Sequence, residues 1–163
     1  MTTNAVTITA PEGLPFIDMT REFDAPVEAV YRAHTEPDLL TLWLGPRGYD
    51  MTIERFEMKA GGRYRYLHTD PEGVSYTFNG VVHVARPNEL IIQTFEFEGF
   101  PDIVSLETMR LEDLGEGRTL LSAHSVYPSV EARDGMAASG MEQGVTEGYE
   151  KLDEVLANLS VSH

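Results

Sequence analysis

Six strand-like segments follow one another between Met51 and Val126 with only a few residues between them, and that spacing limits the folds open to this chain. The segments Met51 to Phe56, Arg63 to His68, Tyr76 to Val84, Glu89 to Phe97, Ile103 to Leu111 and Thr119 to Val126 alternate in polarity or are rich in β-branched and aromatic residues. Turn chemistry separates them: Ala60-Gly61-Gly62, Asp70-Pro71-Glu72-Gly73, Arg86-Pro87-Asn88, Glu98-Gly99-Phe100-Pro101 and Gly115-Glu116-Gly117. A parallel pair needs a crossover of roughly a dozen residues or more, usually a helix. These linkers are too short for that, so the strands are expected to form an antiparallel meander.

The flanks complete the layout. Leu14 to Phe23 is apolar and strand-compatible, and a helix start follows at Asp24-Ala25-Pro26, with Val27, Val30, Tyr31 and His34 on one face. A second short helix fits Glu36 to Leu44, opening with Pro37 and stopping at Gly45-Pro46. After the last strand, Glu131 to Leu159 reads as one long amphipathic helix whose apolar face holds Met141, Val145, Leu152, Val155, Leu156 and Leu159. One strand, two short helices, six strands and a long terminal helix make an α+β fold, with the sheet burying one face against that helix. Residues 1–13 read as a polar, weakly ordered arm and 14–160 as a single domain, which suits a chain of 163 residues.

Gly140, Gly144 and Gly148 recur every fourth residue along the terminal helix, on the flank of its apolar face. Each interior glycine costs about 1 kcal/mol against alanine, so either a backbone comes close there or space is left for something else. Both are expected: part of the strip against a strand or short helix, the rest beside a cavity mouth. Membrane helix pairing is excluded as the reason by Glu142, Glu147, Glu150, Asp153 and Glu154 on the same helix.

Composition removes several functions. Twenty-seven acids against twelve bases give a net charge of −15, scattered along the chain, which argues against nucleic acid and anionic membranes as partners. Without cysteine there is no disulfide, thiolate catalysis or cysteine-bound zinc. The five histidines, His34, His68, His83, His124 and His163, lack metal-site spacing, and no phosphate loop or nucleophile elbow is present. No metal or other cofactor is expected. The first ten residues have neither a basic start nor a long apolar run, so a cytoplasmic location without membrane insertion is expected. A homodimer through a sheet edge or the short helices is compatible with the sequence.

Three stretches together carry a family resemblance: Leu42-Trp43-Leu44-Gly45-Pro46; Gly61-Gly62-Arg63-Tyr64; and Ser139-Gly140-Met141-Glu142-Gln143-Gly144 running on to Tyr149-Glu150-Lys151-Leu152. They resemble the START-like, or SRPBCC, superfamily, in the bacterial branch named after the C-terminal domain of the Hsp90 ATPase activator. The resemblance covers roughly Phe16 to Leu159. It implies a helix-grip fold, with a curved antiparallel sheet of about seven strands around the C-terminal helix and a cavity between them. It implies binding of a small hydrophobic or aromatic ligand, with a polyketide-cyclase-like or dehydratase-like enzyme and a co-chaperone-like interaction module as the alternatives. No invariant catalytic set comes with it, so whether a reaction occurs is open.

Alternation, read with the family's pattern, selects inner-face residues. Tyr64, Tyr66 and His68 come from one strand, and Tyr76, Phe78, Gly80 and Val82 from the next. The last hairpin gives Ser105, Glu107, Met109 and Leu111 facing Leu120, Ser122 and His124. Pairing Leu111 with Leu120 sets Glu107 opposite His124, a carboxylate and an imidazole suited to proton transfer or to holding a polar ligand head. They can equally satisfy each other at the rim, or be exposed by a slipped register. Trp43, Met136, Gly140, Met141 and Gly144 complete the candidate ligand-binding set, Trp43 as a lid or a plain hydrophobic anchor and the methionines as adaptable lining or core. Arg63, Arg65 and Arg110 are out of phase with the inner face and belong on the solvated side.

Overall fold

The structure, a computed structural model, describes residues 4–161; the first three residues of the arm and His163 lie outside the described residues. In chain order the elements are β1 (Thr7–Thr9), β2 (Phe16–Phe23), α1 (Val27–Thr35), α2 (Pro37–Leu40), β3 (Asp50–Phe56), β4 (Arg63–Thr69), β5 (Ser75–Arg86), β6 (Leu90–Phe97), β7 (Val104–Gly115), β8 (Arg118–Val126), α3 (Val130–Ala137) and α4 (Met141–Val161). All strands join one antiparallel sheet in the order β1-β2-β8-β7-β6-β5-β4-β3. The short linkers make β3 to β8 a meander, and β2 closes onto β8 from the far end of the sequence. This is the expected α+β helix-grip architecture.

One face of the sheet is inner. It carries Phe23, Leu111, Leu121 and Ile91, which pack with Val30, Tyr31 and Ala33 of α1, with Leu40 and Trp43, and with Tyr149, Leu152, Val155 and Leu156 of α4. A smaller cluster of Tyr64, Tyr66 and Val82, flanked by Phe78 and Phe95, continues the apolar face toward β4. Alternation requires this arrangement, since one side of each strand must be covered. Arg63 and Arg110 are exposed, and Arg65 pairs with Glu54 and Glu98 on the solvated face.

The terminal helix is pinned by an ion pair. Arg21, buried on the inner face of β2, donates both guanidinium nitrogens to Asp153 of α4, at 2.6 and 2.7 Å. Its guanidinium also lies 4.6 Å from the Phe23 ring centroid and 5.8 Å from that of Tyr149. A bidentate arginine fixes direction as well as distance, so the pair sets how α4 crosses the sheet.

Three expectations are corrected. First, Glu131 to Leu159 is not one helix: α3 ends near Ala138 and α4 begins at Met141, with Gly140 at φ +86° between them. Glycine alone enters that left-handed region without a Cβ penalty, so Gly140 turns the chain instead of continuing the strip. Ser129 caps α3 through its hydroxyl, which accepts from Ala132 N at 3.0 Å.

Second, the β7–β8 register differs by one. Leu111 pairs with Leu121, Met109 with Ala123, Glu107 with Ser125 and Thr108 with His124. The two-residue turn at Glu116-Gly117, closed by Gly115 and Arg118, would by itself set odd residues of β7 against even residues of β8. A bulge between Asp113 and Gly115 adds Leu114 to β7 alone and reverses that parity. The bulge sends Leu120, Ser122 and His124 to the outer face and brings Thr119, Leu121, Ala123 and Ser125 inside.

Third, part of the arm is ordered, because Thr7–Thr9 pairs with β2 as an eighth strand. Three residues of alternating threonine give almost no periodic signal.

The two remaining glycines of the strip play different roles. A Cβ on Gly148 would stand 3.3 Å from the Trp43 carbonyl oxygen, where α4 meets the turn after α2, whereas one on Gly144 would make an ordinary 3.6 Å contact with Pro46. Gly148→Leu should therefore destabilise the protein by about 1–3 kcal/mol. Gly144→Ala should instead stabilise it by about 0.5–1 kcal/mol through helix propensity. Urea denaturation of both variants checks the contrast, and equal effects would contradict this packing.

Candidate functional site

Three strands place a polar row in the middle of the inner face. Ser125 of β8, Glu107 of β7 and Gln93 of β6 are cross-strand neighbours. Gln93 Nε2 donates to Glu107 Oε1 at 3.4 Å, a long bond. Burial pushes the Glu107 carboxyl up to about 7, against the smaller opposing effect of that bond. Among the described residues no cation pairs with it: the nearby inner-face arginine, Arg21, is held by Asp153.

The row is bordered by rings. Tyr64 and Tyr66 stack at 5.9 Å between centroids, Tyr66 and Phe78 at 5.5 Å, and Phe78 and Phe95 at 5.3 Å. Tyr64 donates its hydroxyl to the Thr94 carbonyl, close over Gly80, where any Cβ would clash. Desolvation first and the Glu107 carboxylate second hold the phenols of Tyr64 and Tyr66 well above their ordinary range, and desolvation raises Tyr127 and Tyr149 to about 12. The half-buried Glu107 carboxyl adds to the upward shift of all four phenols.

Among the described residues two buried polar atoms have no hydrogen-bond partner, Gln93 Oε1 in the row and His68 Nδ1 farther along the inner face on β4. His68 stacks edgewise on Tyr66 at 5.2 Å and on Phe78 at 5.7 Å, under the Gly45 backbone. Desolvation, with a smaller effect from Lys151, lowers it to about 4, so it is neutral at physiological pH.

Of the predicted residues, the fold brings Tyr64, Tyr66, His68, Tyr76, Phe78, Glu107 and Met109 to the inner face. Glu107 and His124 are not together. His124 lies on the opposite face, half-exposed, with Nδ1 2.5 Å from Asp18 Oδ1 and its ring 4.9 Å from that of Phe16. Trp43 is buried as an anchor, its Nε1 donating to the Ala33 carbonyl at 2.9 Å and its ring stacked on Tyr149 at 6.1 Å. Met136 is half-buried on α3, and Met141 and Gly144 are half-buried on α4.

Sequence reasoning missed Gln93, Phe95 and Ser125. Gln93 and Phe95 share the parity of Ile91 on β6, a signal that was available. Ser125 could not be found without the bulge.

Two concavities border α4. One, of about 540 Å³, is a groove along its exposed side lined by Gly140, Glu142, Gln143, Thr146, Glu147 and Glu150. The other, of about 220 Å³, lies where the arm crosses the seam between β2 and α4, beside Arg21 and Tyr149. Gly140 thus borders a surface groove, whereas the polar row lies on the inner face. Among the described residues no group of three or more His, Asp or Glu side chains is placed to hold a metal, and no helix is long and apolar enough to cross a membrane.

Comparison with known proteins agrees with this geometry. A solved structure from Rhodobacter sphaeroides is similar over 94% of this chain and 98% of its own, with 35% identity and a TM-score of 0.85. One from Arthrobacter aurescens has 28% identity over 93% of this chain and 91% of its own, with a TM-score of 0.84. The AHSA1 protein of Silicibacter pomeroyi, 21% identical with a TM-score of 0.70 over 91% of this chain and 99% of its own, shares the fold. No curated protein matches the sequence. The family model for the activator of Hsp90 ATPase homolog 1-like proteins matches residues 24–157, nearly the whole of the folded region, and the chain belongs to that family, within the START-like superfamily.

Proposed function

We propose that the protein binds a small hydrophobic or aromatic molecule against the inner face of its sheet, under α4, with Glu107 and Gln93 orienting the molecule's polar group. The observation that carries this reading is the unpartnered buried atom Gln93 Oε1, beside the Glu107 carboxyl and close to the rings of the inner face. A buried polar atom left unpaired costs about 1–3 kcal/mol, and native interiors keep few of them. Beside these rings, Gln93 Oε1 fits a site in which the bound molecule completes the hydrogen bonding while the rings supply apolar contact. Native mass spectrometry of the purified protein should show a co-purifying small molecule, or a bound mass after incubation with 2-naphthol. Failure of both would sink the reading.

Glu107 also favours a second reading. A carboxyl poised at about 7 can give or take a proton near neutral pH, as a cyclase-like or dehydratase-like reaction requires. Turnover of a candidate substrate, abolished by Glu107→Gln while binding persists, would establish it; binding without turnover would leave the carrier role.

A further inference from the structure

We infer that the polar end of the bound molecule is an organic ammonium, seated between the Glu107 carboxylate and Gln93 Oε1 and faced by tyrosine rings. This rests on the ligand-binding reading above and specifies its chemistry.

The argument is one of unmatched acceptors. Glu107 offers carboxylate oxygens, and among the described residues its only side-chain hydrogen bond is the long one from Gln93 Nε2. The other end of the same amide, Gln93 Oε1, is a buried acceptor with no donor. The Tyr64 hydroxyl and the cationic side chains of this region are engaged elsewhere. The Tyr64 hydroxyl donates to Thr94, and Arg21 is held by Asp153. Lys151 reaches the Pro46 carbonyl at 3.4 Å, away from the row, and Arg133 donates to the Phe16 carbonyl and to Asp134. Among the described residues, the row therefore presents unmatched acceptors and no cation of its own.

Each ligand class meets this differently. An anion would be repelled by the carboxylate and by the lone pairs of Gln93. An apolar molecule would leave Gln93 Oε1 as it is. An ammonium brings several N–H donors and a positive charge, which the carboxylate and the amide oxygen both accept. The rings of Tyr64, Tyr66 and Phe78 border the row, and a cation meets aromatic rings more favourably than an anion does. A net charge of −15 also raises the local concentration of cations around the molecule.

Three compounds of matched size isolate the charge: 2-phenylethylamine, 2-phenylethanol and 3-phenylpropionate, titrated calorimetrically at about pH 8, where Glu107 is ionised. The amine should bind about tenfold or more tighter than the alcohol, and the carboxylate more weakly than either. In Glu107→Gln, with an unchanged circular-dichroism spectrum, the amine should lose its advantage over the alcohol. Gln93→Met should reduce that advantage by about threefold, which keeps the test open if the first variant misfolds. An alcohol or carboxylate that binds as tightly as the amine, or an amine preference that survives Glu107→Gln, would overturn the inference while leaving the ligand-binding reading in place. Failure of the amine to bind would overturn the inference, and the ligand-binding reading would then stand or fall on the mass-spectrometric test above.

Discussion

Asp153→Ala should destabilise the protein by about 2–3 kcal/mol, and by more than Arg21→Met, although the two residues form one ion pair. The asymmetry follows from burial. Arg21 is 2% exposed in its side chain and Asp153 is 39% exposed. Without the carboxylate, the guanidinium stays desolvated between β2 and α4 against Phe23 and Tyr149, keeping only a 3.4 Å contact with the Glu22 carbonyl. Without the guanidinium, Asp153 turns to water and methionine fills much of the vacated volume. The partial exposure of Asp153 keeps the effect at the low end for a broken buried pair. Arg21→Met with Asp153→Leu should recover most of the loss, since neither charge is then stranded. Urea denaturation of the four proteins tests this; if Arg21→Met costs as much as Asp153→Ala, the burial argument is wrong. At this chain length each kcal/mol corresponds to a melting shift of about 2–4 °C.

That pair also shows where the sequence was informative and where it was not. Topology is carried by linker length, and the short separators after Phe56, His68, Val84, Phe97 and Leu111 leave no alternative to a meander. Inner-face parity on β4, β5 and β7 follows from alternation, which put Tyr64, Tyr66, Phe78 and Glu107 on the correct side. Parity on β8 does not, because Leu114 occupies the bulge and a single unpaired residue inverts every side chain beyond it. Nothing local distinguishes Leu114 from a paired strand residue. Arg21 was hidden for another reason: an arginine between Thr20 and Glu22 looks solvated, and only the partner 132 residues later makes its burial tolerable. Gly140 was grouped with Gly144 and Gly148 by spacing, whereas its backbone conformation separates it from them. Residues fixed by local periodicity were legible; those fixed by a distant partner or by one irregular backbone position were not.

The consequence reaches furthest at Glu107, which the corrected register places opposite Ser125 instead of an imidazole that could have balanced its charge. Its carboxyl is raised from an ordinary 4.5 to about 7 by burial, so between those values the folded protein holds a proton that the unfolded chain has released. Stability therefore falls as pH rises from about 4.5, and the loss is complete above about 7. Full ionisation corresponds to on the order of 3 kcal/mol. Glu107→Gln is neutral throughout. It should match the parent near pH 4 and exceed it by that amount at about pH 8, where its amide N–H can also serve the unpartnered Gln93 Oε1. His34 and His68 act in the opposite sense. Desolvation lowers both to about 4, so each loses stability as pH falls from 6.5 toward 4. In the parent, protonation of Glu107 offsets part of that loss and flattens the acid side of the profile. In Glu107→Gln the histidines act unopposed, so the variant should show a steeper acid decline from a higher plateau. Denaturation at pH values of about 4, 6 and 8 measures the difference directly, and because the histidine contributions are common to both proteins they cancel in it. A difference that does not change with pH would mean that Glu107 is solvated, and would remove the desolvated carboxylate on which an ammonium-selective site depends.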